Sequence, residues 1–231
     1  MFLDPKVSTV YRGAAARLNY MALDRPDLSF CSKVCASGMS SPTTGDVVRL
    51  KRVLRYLKIV KSAKLCYCWQ DPQDIISGYG DFDWAGDRKT RKSTSGGGVM
   101  IGSHLLHHYS NSQANIALSS AEAELNSNVK LTAECLFVKN MLSDIGIKIG
   151  VQTLTDSSAA KGIQTRRGCG KVKHLEAKQL WVQEKVQLGH VKIVKVPRSV
   201  NPSGVLTHHW TGSDSHHFEK FGFYRELSTK C

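Results

Sequence analysis

The chain has 231 residues, 41% of them hydrophobic, with 32 Lys and Arg against 19 Asp and Glu and a formal net charge of +13. That length holds one large domain or two smaller ones around a sizeable core, and no apolar run approaches the roughly 20 residues needed to cross a bilayer, so no membrane partner is expected. The positive excess points to an anionic partner, with nucleic acid the commonest, and it is densest at the start, where residues 1–70 hold 12 basic and 4 acidic side chains.

Residues 11–58 read as helical. Tyr11–Leu23 places apolar residues at helical spacing until Pro26 interrupts it; a second helix is expected over about Leu28–Met39 and a third over Thr44–Lys58. In the third, Val47, Val48, Leu50, Val53, Leu54 and Leu57 share one broad face. Lys51, Arg52, Arg55 and Lys58 decorate the other, as phosphate contacts or as a solvated face. From residue 64 the texture changes to strands, at Lys64–Trp69 and Ile75–Phe82, then a hairpin of Gly96–Ile101 and His104–Tyr109 turning at Gly102–Ser103. Ser119 with Glu122 spells a capping box for a long helix reaching about Asp144, with Leu125, Val129, Leu136 and Met141 on its apolar side. A short strand at Val151–Thr155, a helix from Asp156–Ser157 to Arg166–Gly168, a helix over Lys173–Leu188, a strand at His190–Val196 and a short helix after Asn201 complete the chain. The order from Ile75 onward is that of a mixed α/β domain with a central sheet.

The seven cysteines are odd in number and form no CxxC pair. They fit a reduced intracellular compartment, cytoplasmic or nuclear, better than a disulfide framework. The opening MFLDPKVSTVYRG has no signal-peptide hydrophobic region, so secretion is not expected. Nine histidines include three adjacent pairs, but no second cluster supplies zinc spacing.

Three acids stand at the edges of expected elements: Asp81 in GYGDFDWAGD near a strand end, Glu124 in ALSSAEAEL early in a helix, and Asp156 in LTDSSAAKG at a strand-to-helix junction. Oxygen ligands suit Mg²⁺, and two such ions about 4 Å apart stabilise both the attacking and the leaving oxygen of a phosphodiester. Clustered carboxylates resist joint ionisation unless cations are present, so a fold fixes them at the ends of different elements. Taken singly, each acid reads equally as a surface charge or a helix cap.

The ordered set GYGDFDWAGDRKTRKSTSGG, ALSSAEAEL, LTDSSAAKG, KHLEAKQLWVQEKV and VPRSVNPSGVLT resembles the ribonuclease H domain of copia-type retrotransposon Pol polyproteins. The upstream run from Tyr11 to Lys58 resembles the end of the reverse transcriptase in those polyproteins, and the match covers about residues 11–210. The resemblance implies a ribonuclease H-like α/β fold, a mixed five-stranded sheet flanked by helices, preceded by a helical segment. The expected division is 1–62 for that segment, 63–212 for the ribonuclease H-like domain and 213–231 for a C-terminal tail. It also implies cleavage of the RNA strand of RNA–DNA hybrids with two Mg²⁺ or Mn²⁺ ions held by Asp81, Glu124 and Asp156. Glu124 is chosen over Glu122 because the family's carboxylate precedes a large apolar residue, here Leu125. Asp83 is expected to support the structure and Trp84 to lie in the core. The family's fourth acid falls at Gly204, and His208 stands where Lys is usual, so weakened metal binding is expected. The implied partners are an RNA–DNA hybrid or other nucleic acid and the rest of a Pol polyprotein; the basic side of the third helix adds Lys51, Arg52 and Arg55 as expected contacts to a nucleic-acid backbone. No Asp–Asp dipeptide occurs, so no polymerase aspartate pair lies in this sequence. Two other readings stand beside the enzyme: a nucleic-acid-binding module without turnover, and a degenerate retroelement remnant.

Overall fold

The computed structural model describes residues 2–166, 168 and 177–226. The first residues of the helix expected from Lys173, with Cys169 and Cys231, fall outside them.

Three helices come first: α1 (Pro5–Met21), α2 (Pro26–Ser37) and α3 (Thr44–Ile59). α1 starts earlier than apolar spacing suggests, because Asp4 accepts the Lys6 N–H at 2.8 Å and Pro5 occupies the first turn. Pro26 opens α2 rather than only ending α1. Tyr11, Ala15, Leu18, Leu28, Cys35, Leu50 and Val53 form the small core between the three. The apolar face of α3 is narrower than expected: Val48 is 64% and Leu54 52% exposed, while Leu50 and Val53 are buried.

The remaining strands are β1 (Ser62–Leu65), β2 (Ile75–Asp83), β3 (Thr94–Ile101), β4 (His104–Ser112), β5 (Gly150–Thr155), β6 (Lys192–Lys195) and β7 (Phe223–Glu226). Five of them make a mixed sheet in the order β4-β3-β2-β5-β6. β2, β3 and β4 form an antiparallel meander, and β5 and β6 run parallel to β2. The β3–β4 turn is the expected Gly102–Ser103, with Gly102 at φ 59°, a conformation glycine reaches without penalty.

Helices α4 (Ser120–Asp144), α5 (Ser158–Thr165) and α6 (Ala177–Gln187) cover one face. α4 lies very close to β2. A Cβ at Gly78 would stand 2.5 Å from Cys135 Sγ, and one at Gly80 2.9 Å from Leu131 Cδ2, so only glycine admits the helix at this distance. The core there holds Ile76, Val99, Leu131, Cys135, Val182 and Ile193. Met141 is 54% exposed, because the buried stripe of α4 runs through Ala123, Leu125, Leu131 and Cys135 instead.

The opposite face is closed from the C-terminal side. A 3-10 turn at Pro202–Leu206 replaces the expected short helix after Asn201, and a second follows at Gly212–Asp214. Helix α7 (Ser215–Lys220) and β7 then bring Phe218, Phe221 and Phe223 into a core with Met100, Leu105, Val205 and Leu206. Residues 215–226 of the segment expected as a tail are therefore packed structure. β7 pairs antiparallel with β1, Ser62 opposite Glu226 and Leu65 opposite Phe223. That short partner ends β1 at Leu65, so the strand expected to reach Trp69 is only four residues long.

The helical segment is pinned to the sheet domain by specific contacts. Ser29 Oγ lies 2.9 Å from His108 Nδ1, Lys33 Nζ donates to Thr94 Oγ1 at 2.6 Å, and Trp210 Nε1 donates to the Asp27 carbonyl at 3.2 Å. Asp27 is 2% exposed and accepts from Arg25 through both carboxylate oxygens and from Tyr56.

Candidate active site

Asp81 sits near the end of β2, opposite Gly96 of β3. The strand is secured there by two hydrogen bonds to its backbone: Ser127 Oγ to the Asp81 carbonyl (2.9 Å) and Asn201 Nδ2 to the Gly80 carbonyl (2.8 Å). β5 lies beside β2 in parallel, Tyr79 opposite Leu154, so Asp156 emerges just past the end of the neighbouring strand. Glu124 lies just past the first turn of α4, whose N-cap is Ser119. Glu122 completes the cap differently from a reciprocal box: its carboxylate accepts the Leu118 N–H at 2.8 Å rather than that of Ser119.

Two threonine hydroxyls, which sequence reasoning missed, hold two of the acids. Thr207 Oγ1 donates to Asp81 Oδ2 and Thr155 Oγ1 to Glu124 Oε1, each at 2.5 Å. Thr207 reaches Asp81 because its 3-10 turn lies hard against β3; a Cβ on Gly96 would come within 2.8 Å of Leu206 Cβ and Thr207 Cγ2. Burial pushes the Asp81 carboxyl above its ordinary range; the Thr207 bond pulls it down and the Asp156 charge pushes it up again. Glu124 is also raised by burial, opposed by hydrogen bonds from Thr155 and Ser157 and reinforced by Asp156 and Asp81. The three acids, distant in sequence, thus act on one another through space.

Gly204 belongs to the same neighbourhood. A Cβ there would stand 3.8 Å from Asp81 Oδ2 and 3.5 Å from His208 Cε1, ordinary contact distances. Its backbone is outside the left-handed region, so a side chain carries no strain. Lys51, Arg52 and Arg55 are exposed on α3. Trp84 is not in the core: it is 51% exposed, with its indole N–H donated to the Ala117 carbonyl.

By donor chemistry, buried carboxylates that repel one another suit a hard divalent cation. Among the described residues, however, no group of three His, Cys, Asp or Glu side chains is arranged to hold a metal ion. No helix among them is long and apolar enough to cross a membrane.

The strand order with a parallel β2–β5 pair, the long helix crossing β2 and the carboxylates at the strand ends define a ribonuclease H-like domain. Among solved structures, a ribonuclease H1 isolated from compost by a metagenomic approach aligns over 58% of this chain and 94% of its own with a TM-score of 0.43 and 18% identity. No protein-family model matches the chain. In sequence it is 28% identical over 205 residues to the retrovirus-related Pol polyprotein from transposon RE1 of Arabidopsis thaliana. It is 30% identical over 202 residues to that from transposon RE2 of the same plant. Each alignment covers 86% of this chain and 14% of the relative's length. Over most of its own length the chain is thus similar to a short stretch of these retrotransposon Pol polyproteins.

Proposed function

We propose that this domain descends from a nuclease that cleaves the RNA strand of RNA–DNA hybrids, and that its turnover is impaired by the missing acid at Gly204. The observation that carries the reading is the position of Gly204, whose absent Cβ would face Asp81 Oδ2 at 3.8 Å. Asp81, Glu124 and Asp156 are the residues to hold divalent cations, Mg²⁺ or Mn²⁺. When bound, such ions supply a water nucleophile of lowered pKa and neutralise charge on the leaving oxygen. The chain's own part is positioning. Thr207 and Thr155 fix the Asp81 and Glu124 carboxylates by hydrogen bonds that favour their charged forms. Burial and mutual repulsion work against those charged forms, so the cluster is poised to gain a cation. Hybrid recognition would rest on phosphate contacts and on the RNA 2′-hydroxyls.

The test is cleavage of an end-labelled hybrid in Mg²⁺ and Mn²⁺ by the parent chain and by Asp156→Asn. Slow cleavage that Asp156→Asn abolishes supports the reading; cleavage unaffected by that change refutes the site. A second reading, a binding module without turnover, is favoured by the lack of a formed three-residue metal cage among the described residues and by the exposed Lys51, Arg52 and Arg55. Salt-dependent hybrid binding with no cleavage in either metal would select it, and absence of both would select a degenerate remnant.

A further inference from the structure

A cleft of about 530 Å³ opens between the N-terminal helices and the loop joining β2 to β3. Its cationic lining comes from both units: Lys33 of α2, Arg49 of α3, and Arg88 and Lys89 of the β2–β3 loop; His208 and His209 line it after the 3-10 turn. Three acids line it as well, but two are already engaged. Asp46 accepts from Thr43 and pairs with Arg49 at 2.6 Å, and Asp87 is bound by Thr90 and by the Lys89 N–H within its own turn. Asp83 is folded back over Gly86, where a Cβ would collide with its carboxylate.

Lys33 is the informative residue. Its ammonium is half-buried, lies over the Phe30 ring and donates to Thr94 Oγ1. Among the described residues, Lys33, Arg88 and Lys89 are in no ion pair with a carboxylate. Burial lowers the Lys33 pKa, with the charges of Asp87 and Asp83 acting the other way. A desolvated ammonium without a paired carboxylate calls for an anion from outside.

The cleft also has a direction. Asp81 and Asp83 alternate onto the same face of β2, and His208, which lines the cleft, lies beside the Gly204 position. A strand held in the cleft would therefore run toward the carboxylates.

We propose that this cleft is a seat for a nucleic-acid backbone phosphate, built jointly by the helical segment and the sheet domain, with Lys33, Arg88 and Lys89 as its cations. The proposal deepens the nucleic-acid reading above and rests on it. It assigns the helical segment a share in binding that the outer face of α3 does not explain, since Lys51, Arg52 and Arg55 do not line the cleft.

The experiment is equilibrium binding of a labelled RNA–DNA hybrid and a labelled DNA duplex, as a function of salt, in EDTA so that cleavage plays no part. The full chain is compared with Lys33→Met, with Arg88→Ala/Lys89→Ala and with Lys148→Ala. Met retains the length of the Lys33 stem, Arg88 and Lys89 are exposed on a loop, and Lys148 lies before β5, at the sheet end away from Asp81. The log–log salt slope should fall by about 1 for Lys33→Met and about 2 for the double variant, for both duplexes, because each removed cation releases one fewer counterion. Lys148→Ala should leave the slope as in the parent. Circular dichroism melting shows whether Lys33→Met is folded; if it is not, the loop double variant decides. Unchanged slopes in the loop variant overturn the proposal, and so does a parent chain that binds neither duplex. Displacement of the hybrid by low-millimolar inorganic phosphate at constant ionic strength would mark a free-anion seat and overturn the backbone assignment. Hybrid cleavage in Mg²⁺ is read separately, so an inactive chain that binds with the expected slopes refutes the nuclease and leaves the phosphate seat standing.

Discussion

His108 gives a quantitative test of how the helical segment is joined to the sheet. It lies on β4, half-buried against α2, with Nδ1 2.9 Å from Ser29 Oγ. Burial, with a smaller contribution from His107, lowers its pKa from 6.5 to about 4, and the Leu23 backbone and the charges of Asp27 and Asp24 only partly oppose this. The folded chain therefore keeps His108 neutral while the unfolded chain takes up a proton below pH 6.5. The stabilisation is fully present above pH 6.5 and is lost as pH falls toward 4. A shift of that size corresponds to roughly 3 kcal/mol over the whole range, and to about 2 kcal/mol by pH 5. In a chain of this length that is a fall in Tm of about 4–8 °C. Asp81 and Glu124, whose pKa values are raised, act in the opposite direction and stabilise as pH falls. The measurement is therefore a difference: thermal unfolding of the parent and of His108→Gln at pH 7.5 and pH 5. The parent should lose more stability than His108→Gln by about 2 kcal/mol. Equal losses would mean that His108 is not held neutral at this junction, and the account of the docked helices would fail.

Replacing Lys51, Arg52 and Arg55 together by Ala should weaken hybrid binding and flatten its salt slope by up to about 3; identical curves would show these side chains to be a solvated face. Gly78→Ala places a Cβ 2.5 Å from Cys135 Sγ and should cost about 1–3 kcal/mol in denaturant unfolding, with a neutral result contradicting the close approach of α4 to β2. Thr207→Val removes the hydroxyl that holds the Asp81 carboxyl down, so its pKa, followed by carbon NMR, should rise further. Because that pKa already lies above the ordinary value, the variant's stability should fall over a wider range as pH rises; a lowered pKa would reverse the argument.

Much of the sheet domain is legible in the sequence because its elements carry local signals. Gly102–Ser103 marks the hairpin, Ser119 marks the start of α4, and the short, β-branched-rich stretch Val151–Thr155 marks the strand that pairs with β2. What is not legible depends on partners far away in the chain. β1 ends where its antiparallel partner β7 begins, and nothing near Cys66 announces a partner beginning at Phe223. The packing of Phe218, Phe221 and Phe223 beneath the sheet is likewise decided by β3, whose glycines leave room for it: a Cβ on Gly98 would stand 2.6 Å from the Phe221 ring. For the same reason motif order picks out Asp81, Glu124, Asp156 and Gly204, while Thr155 and Thr207 go unnoticed. A threonine beside an acid has no signature until the fold sets it there. Lys33 looks like one more surface cation in α2, and only the loop between β2 and β3 encloses it.

The central claim, that a ribonuclease H-like site is limited by the acid missing at Gly204, is tested most directly by hybrid cleavage in Gly204→Asp. The neighbourhood accepts a side chain there, and its carboxylate would join Asp81 across 3.8 Å measured from the Cβ. The variant should cleave an RNA–DNA hybrid faster than the parent, with a stronger dependence on Mg²⁺, and the gain should vanish in Gly204→Asp/Asp156→Asn. A folded Gly204→Asp that cleaves no faster than the parent at any Mg²⁺ concentration would contradict the claim.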